Sequence, residues 1–309
     1  MATEPMLASL DAAAAQRSRP SNPHVLLDYW ELTKPEINLL IAVTAASGFW
    51  LGSSTPAGRF PWMRFIHMLV ATIFVAAGAA TLNQLIELRH DAQMRRTARR
   101  AIVSGRVAPG HALSFGVLIS VFGVVYLAIA TNALASSLAA FTLLSYLFLY
   151  TPLKRITPLC TAVGAIPGAA PPLIGWAAAR GRLDPEAWVL FAIVFLWQFP
   201  HFMSIAWIYR EDYGRAGYLV LPAGELKERF VSWQSLLPTL GLLVVTLAPA
   251  IRGISGFVYL AGTLVLGAAF LYCSVRFAIQ RTNAGARQLL FASIIYLPML
   301  FALLALDKK

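Results

Sequence analysis

The chain has 309 residues, 58% of them hydrophobic and only 13% charged, and a net charge of +11. Soluble domains carry roughly 25% charged residues. Here the charges gather between long apolar runs, which excludes a soluble bundle with one apolar stripe per helix, and the runs are continuous rather than alternating, which excludes a membrane β-barrel.

Taken in order, the first 28 residues mix Ala-rich and Arg/Ser/Pro stretches and lack the unbroken apolar core of a cleavable signal peptide. They read as a flexible cytoplasmic tail (1–28) ahead of a single membrane domain (29–309). Nine apolar runs follow, each near the ~20 residues that a helix needs to cross a bilayer. They are 37–52, 65–86, 112–130, 133–150, 159–178, 187–208, 233–251, 256–276 and 288–306. The first is short and draws its opening turn from Leu32 to Glu36, where Pro35 suits a first helical turn because its missing N–H would be unpaired anyway. The expected fold class is all-α, a polytopic bundle of about nine transmembrane helices.

The basic balance follows the topology. With nine spans and a cytoplasmic N-terminus, 18 of the 25 Lys and Arg fall on the cytoplasmic side, leaving Arg59, Arg64, Arg180, Arg182, Arg252, Lys308 and Lys309 on the other. This is the positive-inside pattern and places the C-terminus opposite the N-terminus. It removes the need for a nucleic-acid partner. Cys160 and Cys273 both lie within spans and have no metal-ligand spacing.

Two long connections on the cytoplasmic side hold six of the 14 carboxylates: Glu87, Asp91, Glu211, Asp212, Glu225 and Glu228. In the first, Asn83, Glu87 and Asp91 recur every four residues, so on a helix they share one face. Oxygen ligands so arrayed suit Mg²⁺, which takes one or two carboxylates plus substrate phosphates. Arg95, Arg96, Arg99 and Arg100 follow at once, and guanidinium groups are forked donors to phosphate oxygens. A metal beside arginines is the arrangement expected for a diphosphate, although such a stretch also reads as a solvated cap with internal ion pairs. The second connection again ends an apolar helix in acids and arginines, through Arg210, Glu211, Asp212 and Arg215. His201 within that helix reads first as a hydrogen-bonded core residue and only second as a ligand. Lys154 and Arg155 add two cations on a short third connection, and the Pro/Gly-rich stretch Gly164–Trp176 predicts a broken helix, tolerated in a membrane where it faces a cavity or a close neighbour.

Asn83-x3-Glu87-x3-Asp91-x2-Met94-x-Arg96-Thr97, Ser104-Gly105-Arg106 and Tyr150-Thr151-Pro152-Leu153-Lys154-Arg155 stand in that order. They precede Gly168–Trp176, Trp197-Gln198-x-Pro200-His201-Phe202, Asp212-Tyr213-x3-Gly217 and Leu221-Pro222. From about Leu32 to Leu306 the chain thereby resembles the UbiA-type intramembrane prenyltransferases, and among them the branch that farnesylates haem. It departs from the family in Glu87, where many members have Asp, in Arg99-Arg100-Ala101-Ile102, where Asn-Arg-Pro-Leu is usual, and in Glu36 after Lys34-Pro35. A spaced pair of Asp in the second connection is replaced by Glu211-Asp212 alone.

The resemblance implies a multi-pass protein of the cell inner membrane that transfers a farnesyl group from farnesyl diphosphate to a vinyl group of haem b. It implies Mg²⁺ on Asn83, Glu87, Asp91 and Asp212, diphosphate contacts from Arg96, Lys154, Arg155 and Arg210, and haem contacts from His201, Trp176 and Gln198. Haem A synthase or a terminal-oxidase assembly is a partnership it leaves open. Three other readings compete. One is a prenyltransferase of the same fold acting on a quinone or chlorophyll precursor. Another is an anion transporter, disfavoured because the acids lie at one face and no inverted repeat is evident. The third is a haem-binding subunit, for which His67 and His201 are the histidines within spans and fall toward opposite faces.

Overall fold

The structure is a computed structural model that describes residues 24–53 and 60–309. Most of the expected tail, and Arg59, lie outside the described residues. The helices are α1 (Val25–Leu32), α2 (Pro35–Gly52), α3 (Trp62–Ile86), α4 (Leu88–Asp91), α5 (Pro109–Ala130), α6 (Ala133–Ser145), α7 (Cys160–Gly168), α8 (Pro171–Arg180), α9 (Pro185–Ile208), α10 (Arg210–Arg215), α11 (Leu226–Val245), α12 (Phe257–Gln280) and α13 (Asn283–Leu306). A π-helical turn, Tyr146–Tyr150, and a last turn, Thr151–Leu153, extend α6, and Ala248–Ile251 extends α11.

Eight helical units among the described residues are long and apolar enough to cross a membrane, with α7 and α8 counted as one. The ninth expected span is α2, whose 18 residues rise about 27 Å, long enough to cross but less apolar than the eight because its first turn carries Pro35, Glu36 and Asn38. It nevertheless belongs to the bundle, packed against α8 and α3. Val25–Asp28, the end of the expected tail, form the first half of α1.

The Pro/Gly-rich segment is broken as its sequence predicts. Pro167 and Gly168 end α7, Ala169 and Ala170 turn, and Pro171 opens α8 at a first-turn position where its missing N–H does no harm. This unit sits deepest in the bundle: 72% of its window is buried, against 28% for α5. Gly48 and Gly175 explain the depth. A Cβ on Gly48 would stand 2.1 Å from the Pro172 carbonyl oxygen, and one on Gly175 would stand 1.9 Å from that of Ala45. Only glycine lets α2 and α8 touch backbone to backbone.

The apolar core lies on either side of this pair. Phe49, Met68 and Leu127 pack on Ala177 in the amino-terminal half, while Trp176 joins Trp197, Phe270 and Tyr296 in the carboxy-terminal half. Large apolar side chains such as Leu118, Ile129 and Val265 remain exposed on the outer faces, as lipid contact requires. The bundle closes on itself where α13 meets α2. There Lys308 Nζ donates to the carbonyls of Trp50 and Ser53, each at 2.7 Å. Asp307 Oδ2 accepts from the Tyr259 N–H at 2.7 Å, capping α12.

Candidate active site

At the opposite end, three connections meet over a cavity of about 620 Å³, within the range of small-molecule sites. α3 ends at Ile86 and α4 begins at Leu88, so Asn83, Glu87 and Asp91 do not share one unbroken helix. The i to i+4 bonding persists across the break: Glu87 N–H donates to Asn83 O at 2.9 Å and Asp91 N–H to Glu87 O at 2.8 Å. The spacing therefore keeps its effect, and all three residues line the cavity although each is at most 5% exposed.

Each is met by a cation or a hydroxyl. Lys154 Nζ donates to Glu87 Oε1 at 2.8 Å, and Arg100 pairs with Asp91 Oδ2. Asn83 accepts a long hydrogen bond from Lys34 Nζ at 3.4 Å and donates to Thr151 Oγ1 at 3.1 Å. The π-helical turn positions Thr151. The Thr151 N–H donates to Tyr146 O across the widened turn, and its hydroxyl donates to the same oxygen at 2.9 Å. The widened turn also sets Tyr146 and Tyr150 in the cavity wall, with Lys154 Nζ 4.5 Å from the Tyr150 ring centre.

Asp91 Oδ1 is buried without a hydrogen-bond partner. Burial outweighs Arg100 and, with the Glu87 charge beside it, raises the Asp91 carboxyl above its ordinary value. At Glu87 burial acts in the same upward sense, but Lys154, backed by Lys34 and Arg100, prevails and holds the carboxyl low. Burial and the neighbouring Arg100 push the Lys34 amine down to about 7. Two carboxyls four residues apart thus sit in opposed electrostatic settings.

Among the described residues no three His, Cys, Asp or Glu form a metal cage. Mg²⁺ does not require one, since it completes its sphere with water and substrate phosphate. The unpartnered Asp91 oxygen, with the oxygens of Glu87 and Asn83 in the same wall, fits that hard cation.

The structure brings together Asn83, Glu87, Asp91, Arg96 and Lys154, and leaves the other expected site residues outside the cavity lining. Asp212 pairs with Arg215 and accepts from the Arg96 N–H at 3.4 Å, tying the second connection to the first. Arg155 is exposed. Arg210 donates to Trp207 O and to Asn283 Oδ1, both at 2.7 Å, binding α10 to the start of α13. Trp176 donates to Asp184 at 3.2 Å near the far end, and Gln198 donates to Ala165 O at 3.2 Å.

His201 rests on the Trp197 ring, its Nδ1 2.8 Å from Ser293 Oγ. Ser293 spends its own proton on Leu290 O at 2.6 Å, so it accepts from His201 and leaves the imidazole Nε2 lone pair unprotonated. Cavity residues that sequence reasoning missed include Lys34, Tyr146 and Tyr218, whereas Arg100 belongs to the arginine run it singled out. Lys34 carried a signal in its position before Pro35, where it adopts φ 51° as the N-cap of α2 and turns into the site.

The UbiA prenyltransferase family pattern matches residues 40–295. A protein described as protoheme IX farnesyltransferase, from Solibacter usitatus (strain Ellin6076), is 48% identical over 287 residues, covering 91% of this chain and 98% of that one. Among solved structures, a UbiA homolog from Aeropyrum pernix K1 superposes with a TM-score of 0.69 at 21% identity, over 84% of this chain and 95% of that one. A UbiA homolog from Archaeoglobus fulgidus bound to GPP and Mg²⁺ gives 0.59 at 15% identity, over 90% and 99%. Family pattern, relatives and fold agree over nearly the whole chain, which belongs to the UbiA prenyltransferase family and, within it, to the protoheme IX farnesyltransferases.

Proposed function

We propose that the protein converts haem b to haem o by moving the farnesyl group of farnesyl diphosphate onto a haem vinyl group, water then completing a hydroxyethylfarnesyl substituent. One observation supports this above the rest: a single cavity wall in which the buried Glu87 and Asp91 meet Lys34, Arg96, Arg100 and Lys154. Acids alone would suit a cation and bases alone an anion, whereas the mixture suits a metal-bound diphosphate.

Asn83, Glu87 and Asp91 are the residues that would hold Mg²⁺, which when bound neutralises charge on the diphosphate oxygens. Lys34, Arg96, Arg100 and Lys154 face the same leaving group and stabilise negative charge as the carbon–oxygen bond opens. The allylic cation left behind meets the faces of Tyr146, Tyr150 and Phe202 rather than water. The bare Nε2 of His201 is a base suited to haem iron, and we assign it to orienting the acceptor. Arg155 and Arg210 contribute positive charge around the site rather than contacts within it. The lysine and arginine distribution supports a cytoplasmic site in the cell inner membrane, with haem o passed on to a haem A synthase or a terminal-oxidase assembly.

The test is a product assay in detergent with haem b, farnesyl diphosphate and Mg²⁺, reading extracted haems by mass spectrometry. Haem o should appear and should vanish with EDTA. Prenylation of a phenolic acceptor with no haem o would discard the haem assignment while keeping the prenyl donor.

A further inference from the structure

The second connection reaches the cavity through residues other than its acids. α10 ends in a glycine cap: Gly217 adopts φ 70°, its N–H donates to Gly214 O at 3.2 Å, and the Tyr218 N–H donates to Tyr213 O at 2.9 Å. This bonding pattern turns the residue after the glycine back onto the helix end, usually with an apolar contact between the two. Here that contact is Tyr213 against Tyr218, edge to face at 5.9 Å. Tyr218 is thereby folded over the first connection, packed with Met94 and tilted against the His90 ring.

Its hydroxyl ends in an unusual position. Tyr218 is 6% exposed, and its buried Oη faces the Glu87 carboxylate without making a hydrogen bond of normal geometry among the described residues. It stands in the wall that holds Glu87, Asp91 and Lys154. A buried donor left unpaired is destabilising and rarely kept without a reason. Asp91 Oδ1 is a second unpartnered atom in the same wall. Two such atoms on one cavity, one a donor and one an acceptor, point to a ligand that satisfies both.

We infer that Tyr218 contacts the substrate, donating its hydroxyl hydrogen bond to a diphosphate oxygen of the prenyl donor. This rests on the diphosphate reading of the cavity. The bonding pair of the breaking carbon–oxygen bond leaves with the diphosphate, and Tyr218 keeps its proton throughout. A phenol, neutral at physiological pH, supplies this bond without adding another positive charge to a wall that already has four basic side chains.

The experiment compares wild type with Tyr218→Phe, full-length in detergent, because phenylalanine keeps the ring and its contact with Tyr213. Three quantities are measured: turnover, the thermal midpoint without ligand, and affinity for inorganic diphosphate with Mg²⁺ by calorimetry. Turnover should fall about 100-fold, as for loss of one charge-stabilising donor. Diphosphate affinity should fall roughly tenfold, the cost of about one hydrogen bond to a charged group. The midpoint should stay level or rise, since the deleted hydroxyl makes no well-formed hydrogen bond within the protein. A lowered midpoint with diphosphate affinity intact would mark a structural residue and overturn the inference, as would unchanged turnover and affinity. Absence of diphosphate binding in wild type would remove the diphosphate reading itself, a result that the variant does not produce.

Discussion

The two ends of the bundle use charge in different ways. At the end away from the cavity, charged groups satisfy the bundle's own backbone or one another. Arg180 donates to Gly52 O at 2.6 Å, Lys308 to Trp50 O and Ser53 O, Asp307 caps α12, and Arg252 pairs with Glu186 at 3.3 Å. At the cavity end Lys34, Lys154 and Arg100 converge with Glu87 and Asp91 in one wall, and some of its polar atoms have no partner. At one end the named charges are spent within the fold. The other is built to be completed by something else, at a cost in stability that the closed end helps to offset.

Substitutions that separate activity from stability sharpen this contrast. The largest effect is expected for Asp91→Asn, with turnover falling by about 100-fold or more while insertion and abundance persist; normal turnover would take Asp91 out of the mechanism. Next comes Lys154→Met, which strands Glu87 in a buried site. Removing one member of a buried pair costs about 3–5 kcal/mol, so both the thermal midpoint and turnover should drop. The double variant Lys154→Met with Glu87→Gln should recover most of the midpoint and none of the turnover. Recovery of both would make the pair structural.

Smaller effects belong to the closed end. Asp307→Ala removes the side-chain acceptor at the start of α12 and should cost about 0.5–2 kcal/mol, read as a lower midpoint with turnover per folded molecule unchanged. Arg252→Ala cuts a half-exposed pair and should stay within about 1 kcal/mol. Loss of turnover in either variant without unfolding would break the division between the two ends.

Much of this organisation was legible in the residues. Continuous apolar runs gave the bundle, Pro167, Pro171 and Gly175 announced the broken central unit, and the four-residue spacing of Asn83, Glu87 and Asp91 brought them to one wall even across the break at Glu87. Burial and closure were less readable. Asp212 has the residue type of a metal ligand, and its carboxylate meets Arg215 and the Arg96 N–H beside the cavity rather than in its lining. Gln198 is polar on an apolar helix, a common mark of a ligand contact, but Gly168 opens a space that its side chain fills. Tyr218 followed a usable signal, a helix-ending glycine with an aromatic residue on each side of the cap, but which wall it would meet depends on three connections folding together. A one-dimensional pattern reports what a side chain can do, and its neighbours decide whether that capacity is already spent.

The contact of Lys308 with Trp50 and Ser53 has a consequence for biogenesis. It joins a residue just past α13 to the carbonyls that finish α2. During synthesis α2 and α8 can dock as soon as α8 is inserted, and most of the cavity wall is then in place. The open flank of α2 stays without this neighbour until α13 has been inserted. The seam between α2 and α13 thus forms later than that wall, leaving an interval in which a nascent chain with an assembled site can be recognised by insertion factors or proteases as unfinished.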